Sequence, residues 1–219
     1  MEEADSAMFR FDVINRLLPK HFSPTAQYLE IGVDDPRRCF YRIACANKTA
    51  VDPVNKFPPP QQVDYQMTSD EFFSRLRQGK TPFPVDQRWD VIFIDGLHLA
   101  EQVYRDIQNA VRHCQPHGFV VLHDCNPATH LNAHSDLAYF HKYQGEWNGS
   151  TWKAFYRFRT ESSLRSYTVD TDYGVGVIEM EGRQLPIQDS NPWLEFGHFS
   201  QHRSEQIGLI SAAEFRRRH

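Results

Sequence analysis

The sequence predicts an α/β fold: a doubly wound, mainly parallel sheet of about seven strands, sandwiched between helices in three layers. Three observations predict it. Short apolar runs alternate with segments of helical period from residue 27 to residue 124. Some of those runs, such as Val91-Ile92-Phe93-Ile94, are apolar at every position, as strands covered on both faces are. Near the end, "RSYTVDTDYGVGVIEM" gives two alternating runs around Asp172-Tyr173-Gly174, a hairpin signal that predicts an antiparallel last strand.

The elements follow in order. "FDVINRLLP" sets Phe11, Ile14, Leu17 and Leu18 at helical spacing, and Pro19 stops the helix. "QYLEIGV" reads as a short buried strand. "DPRRCFYRIACA" reads as a helix, with Asp35 as cap and Pro36 at the first helical position. "TAVD" is a second strand, "KFPPP" a stiff loop and "VDYQM" a third strand. "TSDEFFSRLRQG" has Ser or Thr as a helix cap, Glu71 close behind and Gly79 as stop. "DVIFID" is the fourth strand; Val103, Ile107, Ala110, Val111 and Cys114 then form one helical stripe, and "FVVLHD" is the fifth strand. Residues 126–150 are irregular and rich in His and Asn, and a helix is expected near 151–160 before the hairpin. The tail 191–219 reads as helix plus loop, with "EQIGLISAAEF" helical. No repeat or domain boundary interrupts the chain. A single domain over 1–219 is expected, with an N-terminal helical extension (1–26), a core (27–180) and a C-terminal extension (181–219).

Bulk properties narrow the function classes. The 219 residues suffice for a proper core, and 40% hydrophobic with 24% charged residues is ordinary for a globular protein. A net charge of -4 with 11 His gives no electrostatic reason to expect nucleic acid. No apolar run approaches the roughly 20 residues of a membrane helix. "MEEADSAMFR" has acids where a signal peptide has bases, so a cytoplasmic location is expected. Cys39, Cys45, Cys114 and Cys125 lack C-x-x-C spacing and read as free, reduced thiols. The expected partner is a small-molecule substrate. A homodimer through the N-terminal helix or the tail is left open.

The strand ends carry the chemistry. Glu30, Gly32, Asp52, Ser69, Asp95, His98 and Asp124 lie at or just past carboxyl ends of strands, where open sheets of this type bind ligands. The first turn, "EIGVDDPRR", has one glycine and sets Asp34 and Asp35 where a phosphate would sit. It lacks the glycine pattern that cradles pyrophosphate. Such a turn tolerates a cationic or zwitterionic ligand. S-adenosylmethionine has a sulfonium, an ammonium and no phosphate, and Asp52 is placed to accept from ribose hydroxyls. Each residue also has a structural reading. Gly32 can serve the turn, Asp52 can form a turn before Pro53, and Asp95-Gly96 is a turn pair. Ser69 can cap a helix, His123 can be a core histidine, and Asp124 can cap the next turn.

These motifs, in this order, resemble class I S-adenosylmethionine-dependent methyltransferases, which are Rossmann-like. More narrowly, the chain is similar to the small bacterial family that includes sugar O-methyltransferases of macrolide biosynthesis. "YLEIGV" resembles that family's first motif, "AVDP" its ribose-binding strand end and "TSDEFF" its adenine-side turn. "FIDGLH" and "VVLHDC" resemble its metal- and substrate-side strands. "WNGSTWKAFYRFR" and "TVDTDYGVGVI" also match segments common in the group, so the resemblance spans roughly 27–180. The family's further glycines, near 34 and 36, are here Asp34 and Pro36. Asp34 would either crowd the methionine part of the cofactor or pair with its ammonium.

The resemblance implies O-methylation of a sugar or glycoside, with S-adenosylmethionine bound by Glu30, Gly32, Asp34, Asp52, Ser69 and Asp95. In related metal-dependent enzymes a divalent metal such as Mg sits on strand-end carboxylates. Asp95 and Asp124 match these by position, Cys125 falls at a third oxygen ligand's place, and His123 offers a softer donor. His98 takes the place of the base, its usual pKa of about 6.5 suiting the task, with Asp95 beside it. Trp147, Trp152 and Lys153 are candidate substrate contacts or core residues. His130 and His134 have the i, i+4 spacing of zinc ligands but no Glu beside the first His. Two other readings remain open: a metal-assisted hydrolase or hydroxylase using Asp95, His98, His123 and Asp124, and a non-catalytic module that binds an adenosyl ligand.

Overall fold

The computed structural model describes residues 7–18, 25–136, 138–139 and 146–219. Pro19, the expected helix stop, lies outside the described residues. Helix α1 (Arg10–Leu17) precedes strand β1 (Gln27–Ile31), and β2 (Asn47–Val51) follows. The helix expected from Asp35 onward does not form. Turns fill the connection, and only Phe40–Arg42 make a 3-10 turn. Asp35 folds its carboxylate onto Arg37, accepting from its N–H at 3.0 Å and its guanidinium at 2.6 Å. That local Asx closure competes with helix propagation. The expected third strand shrinks to one bridge between Tyr65 and Val51. Beside it the Asp64 carboxylate takes the Ala50 N–H at 2.7 Å, a donor that a longer strand would have used.

Helix α2 (Ser69–Arg77) is capped by Thr68, whose hydroxyl accepts from the Glu71 N–H. Strand β3 (Trp89–Ile94), helix α3 (Ala100–His113) and strand β4 (Cys114–Leu122) follow, then helix α4 (Thr151–Glu161) and the hairpin β5 (Leu164–Asp170) and β6 (Val175–Arg183). Its turn holds Asp172 and Tyr173 at φ 43° and 62°, as a two-residue turn between twisted strands requires. The tail departs from the helical expectation. After α5 (Phe196–Gln201) and α6 (Arg203–Gln206), Leu209–Ser211 form β7 on the edge of β5, and Ser211 caps α7 (Ala212–Arg218).

The sheet order is β2-β1-β3-β4-β6-β5-β7. β1 pairs in parallel with β2 and β3, and β3 with β4. β6 runs antiparallel to both β4 and β5. The antiparallel strand is thus inserted within the sheet, and the last strand in sequence, β7, runs parallel to β5. The result is the Rossmann-like, three-layer architecture expected. Alternate strand residues feed two cores. Leu29, Ile92 and Val120 pack on Phe73, Ile107 and Trp152, while Tyr28, Val91 and Val121 belong to the opposite cluster with Ile14, Phe40 and Phe215. No helix among the described residues is long and apolar enough to cross a membrane.

Candidate active site

A cavity of about 870 Å³ opens over the carboxyl ends of the parallel strands. Gly32, Asp34, Asp52 and Ser69 line it on the β1–β2 side. Asp95, His98, His123, Asp124 and Trp147 line it on the β3–β4 side. The topology thus gathers residues from 32 to 147 in one pocket, as the strand order required.

On the first side, Gly32 has φ +81°, and a Cβ there would lie 2.3 Å from the Gly96 Cα and 2.4 Å from the Asp95 carbonyl oxygen. Only glycine lets the turn after β1 pass so close to the turn after β3. Asp52 is buried, and its carboxylate accepts from the N–H groups of Val33 (2.8 Å), Asp34 (3.0 Å) and Val54 (2.7 Å). It ties the turns after β1 and β2 together while facing the cavity. Asp34 points to Lys56 and to Arg38, at 3.6 Å from the latter. Asp35 is paired with Arg37, so the acidic pair of the first turn is covered by bases. The repulsion of anions expected from the sequence is correspondingly reduced. Ser69 is the first residue of α2, and its hydroxyl accepts from Gln102 at 3.2 Å.

On the second side, three carboxylates and two imidazoles converge. His98 has Nε2 3.3 Å from Asp95 Oδ1 and Nδ1 3.1 Å from Asp124 Oδ2. His123 Nδ1 lies 3.3 Å from Asp95 Oδ1 and 3.2 Å from Asp124 Oδ2. Its Nε2 approaches Asp172 at 3.6 Å. Asn148 donates to Asp124 Oδ1 at 2.5 Å. The Trp147 ring stacks on His98 with centroids 5.4 Å apart. Arg10 closes the cluster, with Nη1 2.8 Å from Asp95 Oδ2 and Nε 2.8 Å from Asp172 Oδ2.

The electrostatics follow from this crowding. Burial alone would raise the Asp95 carboxyl, but His123, His98 and Arg10 hold it far below the usual carboxylate range. Burial would lower both imidazoles. The hydrogen bond to Asp95 and the charge of Asp124 lift His98, and Asp95 and Asp124 lift His123 well above its ordinary value. Protonated imidazoles and Arg10 balance the three carboxylates; once the imidazoles release their protons, Asp95, Asp124 and Asp172 face only the Arg10 guanidinium, and the cluster then attracts positive charge. Asp95, His98 and Asp124 have donor atoms within 4.8 Å of one another, the one such group found among the described residues. Two carboxylates with an imidazole suit a divalent cation, and the nitrogen donor shifts preference from magnesium toward transition metals.

Arg10 and Asp172 were not singled out by the sequence, where they read as helix and turn. Strand register is the missing signal. Leu122 pairs with Gly176 across β4 and β6, which puts the 171–174 turn beside His123 and Asp124.

Several expected residues stay outside the cavity. Glu30 lies beneath the floor, 1% exposed, where it accepts from the Tyr28 hydroxyl. Its alternation along β1 turns it into the sheet's interior rather than over the strand end. Trp152 is fully buried and stacks on Phe199 at 4.2 Å, and Lys153 lies over the Trp152 ring rather than on the cavity wall. The helical period of α4 sends both away from the strand ends. Cys125 is buried with its thiol pushed up by desolvation, a poor condition for ligation. His130 and His134 meet edge to face at 6.4 Å, and His134 Nδ1 accepts from the Asp136 N–H.

Residues 47–125 match the family model of a methyltransferase domain. The matched stretch runs from the start of β2 to just past β4 and contains Asp52, Ser69, Asp95, His98, His123 and Asp124. No curated protein matches the chain. Among solved structures it is similar to the MycE methyltransferase from the mycinamycin biosynthetic pathway. The complex of that enzyme with Mg, SAH and mycinamycin VI aligns at 16% identity and a TM-score of 0.44, over 72% of this chain and 45% of that one. The complex with Mg and SAH aligns at 18% identity and 0.44, over 87% and 54%. The chain therefore spans about half the length of that protein.

Proposed function

We propose that the chain is an S-adenosylmethionine-dependent methyltransferase acting on a hydroxyl of a small molecule, a sugar or glycoside. One observation carries the reading: a single cavity joins the Gly32–Asp52 turns to the Asp95–His98–Asp124 cluster. The methyltransferase-domain match supports methyl transfer. The motif resemblance supports the sugar hydroxyl.

S-adenosylmethionine supplies a methyl group already activated by sulfonium. The chain's residues have to align donor and acceptor and remove a proton. Asp52 has acceptor capacity left for ribose hydroxyls beside its three backbone donors. His98 takes the acceptor's proton as the O–CH3 bond forms and the S–CH3 bond breaks. Asp95 and Asp124, at 3.3 and 3.1 Å, stabilise the resulting imidazolium. Trp147 covers the imidazole and limits water. Asp95 and Asp124 would hold a divalent cation, with one of the two imidazoles, His98 or His123, beside them. Such a cation, when bound, supplies Lewis acidity that lowers the acceptor's pKa. The four cysteines are free, which fits a reducing cytoplasm.

Thermal melting with S-adenosylmethionine, S-adenosylhomocysteine and divalent metals tests the reading. A ligand at a hundred times its dissociation constant adds about 2.7 kcal/mol. Stabilisation by the adenosyl compounds, followed by methyl transfer to glycosides detected by mass spectrometry, is expected. A metal shift without an adenosyl shift would favour the hydrolase. Adenosyl binding with no transfer to any hydroxyl acceptor would favour the binding module.

A further inference from the structure

Arg159 is a buried guanidinium with no acid bonded to it among the described residues. It lies in the last turn of α4 and is 6% exposed. Its Nη1 donates to the Ser166 carbonyl, the one side-chain hydrogen bond it makes among the described residues. Its Nε is buried with no partner. Burial lowers the guanidinium from its ordinary 12.5 to about 10, and no neighbouring carboxylate offsets that. A charge taken out of water is strongly unfavourable unless it is paired, so this one calls for a negative partner.

The open edge of the guanidinium has a definite shape. With Nη1 spent on a carbonyl, Nε and Nη2 remain, the pair that meets a carboxylate or phosphate side-on through two parallel bonds. Two further buried groups close by lack partners. Gln206 is fully buried with Nε2 unpaired. Its amide orientation is fixed: Oε1 accepts from Asn191 Nδ2 at 3.3 Å, and that nitrogen also donates to the Glu195 carbonyl at 3.0 Å. Thr168 is fully buried with its hydroxyl unpaired, and its side chain shares a face of β5 with Ser166. Gly208 joins the three. Its carbonyl accepts from the Thr168 N–H at 3.2 Å, it follows Gln206 by two residues, and a Cβ on it would lie 2.8 Å from Arg159 Cζ. With φ at +60°, glycine alone serves both the turn and the guanidinium.

Ser166 and Gly208, the two residues that touch the guanidinium, line a second cavity of about 750 Å³, with Gln184, Ser204, Arg165 and Arg218 around them. It shares no lining residue with the cavity over the strand ends. β5 and β7 run in the same direction as β4, so this second cavity lies toward their amino ends, on the opposite rim of the sheet. Glu179, the acid in its wall, is held by Arg165 at 3.2 Å, and Arg218 bonds Glu214 at 2.5 Å. We propose that Arg159, with Gln206 and Thr168, forms a binding site for a small oxyanion, a phosphate or carboxylate group that enters from this cavity. An oxyanion is all acceptor, which suits two amide-type donors and a hydroxyl. A water in its place would satisfy donors but leave the positive charge uncompensated.

Melting titrations of the full chain with sodium phosphate and with sodium acetate, near neutral pH and with ionic strength held constant by sodium chloride, test this. At least one of the two anions should raise the melting temperature in a saturable way, and the tighter of the two names the ligand's class. Arg159→Met, which keeps the bulk and removes the charge, should abolish the saturable shift. Thr168→Val, nearly the same shape, should weaken the anion by about fivefold to tenfold, which keeps the assignment testable if Arg159→Met does not fold. No saturable shift of the wild type with either anion overturns the assignment and leaves these donors to water. A shift that both variants retain undiminished puts the anion on other bases and overturns it equally.

Discussion

Replacing Glu30 by Gln should stabilise the protein, by an amount that depends on pH. Glu30 sits below the cavity floor, fully desolvated, with the Tyr28 hydroxyl as its hydrogen-bond donor. Burial pushes its carboxyl from an ordinary 4.5 up to about 8, against the lowering effect of the Tyr28 bond. Between those values the folded state holds a proton that the unfolded chain has released, so stability falls as pH rises through that window. Each pH unit is worth about 1.4 kcal/mol. At pH 7 the penalty is therefore about 3 kcal/mol, and near pH 4 it vanishes. Gln is neutral throughout and nearly the same shape. Urea unfolding of both proteins at pH 4, 5.5 and 7 should show a difference that grows from near zero to about 3 kcal/mol in favour of Glu30→Gln. A difference independent of pH, or a variant less stable at pH 7, would refute the reasoning.

Three other outcomes follow from the same geometry. Trp152→Ala removes a buried ring stacked on Phe199 and should cost about 3–5 kcal/mol in urea unfolding; its affinity for S-adenosylhomocysteine by calorimetry should not change, and a selective loss of ligand binding would return Trp152 to the site. Gly32→Ala forces a Cβ into the Gly96 backbone at a positive φ and should lose more than about 2 kcal/mol, read as a melting shift; a shift within about 0.5 kcal/mol would show that the turns can separate. Arg10→Met strips Asp95 and Asp172 of their guanidinium, so divalent-cation binding by calorimetry should tighten while thermal stability without metal falls; unchanged metal affinity would detach Arg10 from the cluster's charge balance.

Periodicity made the sheet legible. The run Val91–Ile94 reads as a buried strand, and Asp172-Tyr173-Gly174 as a turn across which a hairpin can form. The strand-end residues therefore fell on one rim. Local side-chain competition was not legible. Asp35 looked like a helix cap, but its carboxylate preferred Arg37 two residues on. Asp64 likewise took a donor from β2 and left the third strand as a single bridge. Glu30 lies under the cavity floor and Trp152 in the core, because a side chain's direction depends on which face of its element meets the core. Arg10 and Asp172 are 162 positions apart, and no local pattern links them.

The segment that follows residue 145 has a bearing on how such a site can change. Gly149 packs so tightly on His98 that a Cβ would lie 2.2 Å from its carbonyl oxygen, and the Ser150 N–H bonds that same oxygen at 2.8 Å. The Ser150 hydroxyl in turn receives the first N–H of α3. The wall that would choose the acceptor is thus bolted to the imidazole that would deprotonate it. Redesign for new acceptors at 146–150 would detune the imidazole as well, whereas residues 128–131, which are exposed and make no hydrogen bond to His98, leave it undisturbed.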